Sequence, residues 1–106
     1  MTRATILALI LCSPALARPA THARLRITAY CDRGITASGC RSGPGQCAAP
    51  SWVPFGSRVK VDGQWYRVTD RTAKRFRHNT IDVWNPSRRE CLRRGVKWTT
   101  VEIVRR

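Results

Sequence analysis

Acidic residues are scarce. Six Asp+Glu stand against 20 Lys+Arg in 106 residues, a formal net charge of +14. That imbalance points to an anionic partner or surface. Histidine is scarcer, with two residues. A lone His78 in a basic stretch offers too few ligands for a metal site, and we expect no metal or other cofactor. No apolar run reaches the roughly 18 residues of a spanning helix, which argues against an integral membrane protein. The length leaves no room for a dinucleotide-binding fold or a (β/α) barrel. Internal repeats and low-complexity tracts are missing, and so is any recognisable DNA-reading helix or RNA-binding signature. A hydrophobic content of 42% is too high for a disordered basic tail. One small, compact, basic domain remains, expected as a monomer.

What is present starts with Arg3, the only charge among residues 1–17. A mostly apolar run from Ala4 to Cys12 follows, then Pro14 and Ala15-Leu16-Ala17. A basic start, a short apolar stretch and a small-x-small site describe a secretory signal cut after Ala17. Residues 18–24 then read as a tether and 25–106 as the domain. Cleavage removes Cys12 and leaves Cys31, Cys40, Cys47 and Cys91, an even number that suggests two disulfides in a short exported chain. Four cysteines allow three pairings. The favoured one is Cys31–Cys40 with Cys47–Cys91, which ties an early loop to a late helix. The spacings of 9, 7 and 44 hold no close C-x₂₋₄-C knuckle, against a four-cysteine zinc site.

Leu25 to Cys31 alternate, with Leu25, Ile27, Ala29 and Cys31 on one face and Arg26, Thr28 and Tyr30 on the other, which predicts a strand. Residues 32–51 are Gly-rich with two Pro and read as a long ordered loop. Asp62-Gly63 between Arg58–Val61 and Gln64–Thr69 signals a two-residue hairpin. Asp70 to Asn79 is a basic loop, and Thr80 to Trp84 a short strand. Ser87-Arg88-Arg89-Glu90 has capping-box spacing and Gly95 suits a C-cap, bracketing one short helix. Trp98 to Val104 alternate again. Mostly β with one late helix suits a small closed barrel.

Together these landmarks resemble the three-aspartate (3D) domain of bacterial cell-wall lytic enzymes. The likeness runs from Ile27 to Val104 and rests on Thr28-Ala29-Tyr30, Thr36-Ala37-Ser38-Gly39, the segment Pro50 to Val59, Thr69-Asp70, Thr80 to Trp84, and the late helix closed by Gly95. The resemblance implies a mainly β fold, a small six-stranded double-psi β-barrel with one short late helix. It would be related to the barrels of membrane-bound lytic transglycosylase A and the rare lipoprotein A-like family. Three departures stand out. Ala49 occupies the position of the family's first Asp, Arg71 to Asn79 replaces a Gly-rich segment, and Asp70 to Asp82 spans twelve residues, one more than usual.

Glycoside cleavage needs an acid to protonate the leaving oxygen. A lytic transglycosylase uses the substrate's own muramyl 6-hydroxyl as the attacking group, so one carboxyl can donate a proton and later remove one. That carboxyl must be protonated at rest. Asp82, inside a strand where Asp is disfavoured, is the expected acid/base, a role that the resemblance also assigns. Asp70 is the second catalytic candidate, or else it caps a turn or pairs with Arg71. Thr36, Ser38, Tyr30, Trp52, Trp84 and Arg71 are candidates for binding substrate. For Thr36 and Ser38 an ordinary turn is the alternative, and for the aromatics core packing, which is favoured for Trp65 and Trp98.

Seventeen of the 20 cations are Arg, crowded at Arg71 to Arg77 and Arg88 to Arg94. Three functions follow from the reading. The first is an exported peptidoglycan lytic transglycosylase, secreted or periplasmic and held on the anionic wall. The second is a non-catalytic wall-binding or morphogenetic module of the same fold. The third is a nucleic-acid-binding protein, disfavoured by the signal and the cysteines.

Overall fold

The computed structural model describes residues 19–76 and 78–106, so the expected signal segment lies outside the described residues. Six strands form a closed mixed barrel: β1 Ala20–Tyr30, β2 Gln46–Ala49, β3 Arg58–Val61, β4 Gln64–Arg71, β5 Thr80–Trp84 and β6 Lys97–Val104. Around the wall the order is β1-β5-β2-β4-β3-β6. The pairs β1–β5 and β2–β4 are parallel and the others antiparallel. One helix, α1 Arg88–Arg94, precedes β6. The fold is thus mainly β, the closed barrel with one late helix that the pattern predicts, with the six strands that the resemblance implies.

Period-two alternation builds the interior. Leu25 and Ile27, Val59 and Val61, Tyr66 and Val68, Ile81 and Val83, and Val101 and Ile103 all point inward and are buried. Each such side chain contributes roughly 1.5–3 kcal/mol through removal from water. The hairpin between β3 and β4 turns on Asp62 and Gly63, both at positive φ (50° and 81°), as a two-residue loop matched to strand twist requires. Ser87 caps α1, its side chain accepting from the Glu90 N–H at 3.0 Å, and the Gly95 N–H donates to the Cys91 carbonyl.

Three expectations are corrected. The first strand begins at Ala20, so residues 20–24 are no tether but pair with β6, from Ala20 opposite Val104 to Arg24 opposite Thr100. Within the expected loop 32–51 lies β2, too short and too uniformly buried to show a period. Trp65 and Trp98 are not core residues. They are 39% and 47% exposed, out of phase with the inward residues of β4 and β6. Trp65 instead lies under Arg58 and Lys60, whose charges are 5.4 and 5.7 Å from its ring.

Candidate active site

The outer faces of four neighbouring strands make a floor. Thr28 of β1 sits beside Asp82 of β5, Asp82 beside Ala48 of β2, and Ala48 beside Asp70 of β4. Two strand spacings place the Asp70 and Asp82 backbones about 10 Å apart across Ala48. The methyl group of Ala48 leaves the space above it open. Strand alternation turns Ala48 to this floor while Cys47 and Ala49 join the core, and a register shift that skips Thr69 of β4 brings Asp70 beside Ala48.

The segment 31–42 forms the opposite wall. It is pinned by a bridge between Ile35 and Arg41 and by the Thr36 N–H on the Cys40 carbonyl at 2.7 Å. The Ser38 N–H bonds the Thr69 carbonyl at 3.0 Å, and the Ala37 N–H bonds Asp70 Oδ1 at 3.0 Å. Between floor and wall lies a cavity of about 330 Å³. Asp82, Asp70, Tyr30, Thr36 and Arg71, all expected site residues, line it. Asp32, Arg33 and Ser42 complete the wall.

Asp82 is half-buried and accepts one side-chain hydrogen bond, from Thr28 Oγ1 at 2.9 Å. Burial pushes its carboxyl above the ordinary aspartate range. The Thr28 bond and Arg26 pull it down, and the charges of Asp32 and, less strongly, Asp70 push it further up. Asp70 is differently engaged, since its Oδ1 accepts from the backbone N–H groups of both Ala37 and Arg71. It therefore fixes the wall to β4 as well as lining the cavity. The Tyr30 hydroxyl is buried with no hydrogen-bond partner among the described residues. Burial first, then the Asp70 and Asp82 charges, hold its phenol well above the usual value, so it stays protonated.

The remaining candidates are placed elsewhere or are already occupied. Arg71 lines the cavity, yet its Nη1 donates to the carbonyls of Pro50 (3.2 Å) and Val53 (2.8 Å), and its guanidinium lies 3.9 Å from the Phe55 ring centre. It clamps the segment before β3. The Thr36 hydroxyl bonds the Cys40 carbonyl at 3.0 Å. Ser38 faces a separate cleft beside Arg67 and Arg106. Trp52 packs on the core edge with its Nε1 on the His78 carbonyl at 3.2 Å, and does not line the cavity. Trp84 is buried and donates Nε1–H to the Asp32 carbonyl at 2.9 Å, so it holds the wall and is no platform for a sugar.

All four cysteines in the described residues are free thiols, so neither bridge of the favoured pairing is formed. Cys47 is 0% exposed inside the barrel, where burial and the Asp82 charge push its thiol up to about 12. Cys91 of α1 instead has Cys31 as its thiol neighbour. Hydrogen bonds from Thr36 and Ser38 hold the Cys40 thiol below its ordinary range. No group of three or more potential metal ligands occurs among the described residues. No helix among them is long and apolar enough to cross a membrane.

Ala48 of the floor and Asp32 of the wall are among the cavity residues that escaped the sequence reading. Ala48 hides in the unperiodic β2. Asp32 was legible in principle, because the outward face of β1 carries Thr28 and Tyr30 and one more step of two reaches it.

No family model matches the chain. It is 33% identical over 55 residues, 52% of its length, to a Bacillus subtilis (strain 168) protein named "Putative cell wall shaping protein YabE". The match spans 14% of that protein. The chain thus has a distant, partial similarity to a protein named for the cell wall, on a six-stranded barrel.

Proposed function

We propose that this chain is an exported lytic transglycosylase of the 3D type, cleaving the β-1,4 bond between MurNAc and GlcNAc in peptidoglycan. It would work secreted or in the periplasm, held on the anionic wall by its cations. The observation that carries the reading is Asp82: a half-buried carboxyl, held toward its protonated form, facing a cavity of about 330 Å³ and paired with no guanidinium among the described residues. The similarity to a protein named for cell-wall shaping supports the substrate class.

The chemistry balances with one residue. Protonated Asp82 gives its proton to the glycosidic oxygen as the bond from that oxygen to the muramyl anomeric carbon breaks. The muramyl 6-hydroxyl oxygen then attacks that carbon, and its proton passes to the Asp82 carboxylate. A 1,6-anhydro product leaves, and Asp82 is again protonated.

Ala49 favours a second reading. It is wholly buried in the core where the family places its first Asp, and a wall-binding module would not need that carboxylate. Incubation of the protein with purified sacculi separates the two. The expected result is release of anhydro-muropeptides, with Asp82→Asn lowering the rate at least about 100-fold. Retained pelleting on sacculi with no anhydro product would leave the binding module. Tight duplex binding without affinity for sacculi would replace both with a nucleic-acid partner.

A further inference from the structure

Position 49 contributes a buried methyl group, yet the cavity holds three carboxylates, because Asp32 enters from the opposite wall. Its placement is built. The Asp32 carbonyl accepts from the Trp84 indole at 2.9 Å and from Ser42 Oγ at 2.9 Å. Trp84 lies on the same outward face of β5 as Asp82, two residues on, so one strand carries both the acid and the anchor that holds the Asp32 backbone at the cavity. The hydrogen bonds and ion pairs among the described residues include none to the Asp32 carboxylate.

We propose that Asp32 is the positioning residue for Asp82, supplying across the cavity the negative charge that keeps the Asp82 proton in place. The inference deepens the transglycosylase reading and rests on it for its catalytic meaning. Asp70 is the weaker rival. It lies about two strand spacings away across Ala48, and its Oδ1 is already bound by two backbone N–H groups. Asp82 bonds Thr28 of β1 and lies in the field of Arg26 and Tyr30 of β1, Asp70 of β4, Cys91 of α1 and Asp32, with Cys47 of β2 behind it in the core. Of the two other carboxylates, Asp32 raises its carboxyl more than Asp70 does.

The test follows the Asp82 carboxyl carbon by NMR through a pH titration at low salt, where an exposed charge is least screened. It compares the parent protein with Asp32→Asn, Asp32→Glu and Asp70→Asn. Asp32→Asn should lower the Asp82 midpoint by on the order of half a pH unit, Asp32→Glu should restore most of it, and Asp70→Asn should move it less. The Trp84 indole N–H, bonded to a backbone carbonyl that no substitution removes, reports that the wall stays in place. If Asp32→Asn does not fold, Asp32→Ser gives the same comparison. An unmoved midpoint in a folded Asp32 variant, or a larger shift from Asp70→Asn, overturns the proposal. The titration needs no turnover, so a protein without lytic activity refutes the transglycosylase reading and leaves this measurement standing. Where activity is present, Asp32→Asn should move the alkaline limb of its pH profile down by the same amount and spare the rate at low pH.

Discussion

The Asp82 carboxyl is opposed in its ionisation by burial and by two like charges, and assisted by one hydrogen bond and the Arg26 charge. Removing the assistance has a defined sign. Thr28→Val deletes the donor to the charged form, so the Asp82 midpoint and the alkaline limb of activity should both rise, read from the same titration and a pH–rate profile. Stability follows from the same balance. The folded-state value lies above the unfolded one, so the favourable contribution is complete below about pH 4 and is lost as pH rises through the folded value. Asp82→Asn keeps the acceptor for Thr28 but carries no charge. Its melting temperature relative to the parent should therefore climb as pH rises from about 4 through the folded-state value. A difference that stays flat across that window would show that Asp82 is not held toward its protonated form. Arg71 differs in kind: its contacts with two carbonyls and the Phe55 face make it structural, so Arg71→Ala should destabilise by about 2 kcal/mol or more, seen in the denaturant midpoint.

Among the elements, those whose signal is local were readable. Asp62-Gly63 marks its hairpin because both residues take positive φ, and nothing lies within 4 Å of a Cβ built on Gly63. Gly63→Val should thus cost about 1–2 kcal/mol through backbone strain alone. Ser87 and Gly95 marked α1 for the same reason, since caps are chemistry of single residues. β2 was unreadable because its four residues obtain their strand geometry from β4 and β5 on either side and carry no period of their own. Residues 20–24 were missed because they are mostly exposed, so no apolar alternation announces their pairing with β6. The cysteine pairing failed because it depends on how α1 docks against the end of β1, which spacing does not encode. The expected outcome of oxidation with oxidised glutathione is one Cys31–Cys91 bridge per chain, two thiols oxidised as the glutathione disulfide is reduced to two thiols. Cys47 should stay unreacted in the folded protein. Peptide mapping without reductant checks both.

Over the whole molecule the six acids divide by role. Asp62 and Glu90 are paired with Lys97 and Arg93, and Glu102 lies on β6 away from the cavity, whereas Asp32, Asp70 and Asp82 meet at one cavity with no ion pair among the described residues, in a chain with 20 cations. Net charge was legible from composition, but this segregation was not, because it brings together the ends of β1 and β4 and the middle of β5. The two fields have different ranges. Exposed arginines act through solvent and are screened within about a Debye length, while contacts inside a desolvated cavity are not. Pelleting on anionic sacculi should therefore weaken several-fold between about 0.05 M and about 0.5 M salt, equally for the parent protein and Asp82→Asn. Binding of an uncharged N-acetylglucosamine oligomer, measured by calorimetry, should change little over the same range. Sacculus binding that ignores salt would mean that the arginine faces are merely solvated, and that the cavity alone holds the glycan.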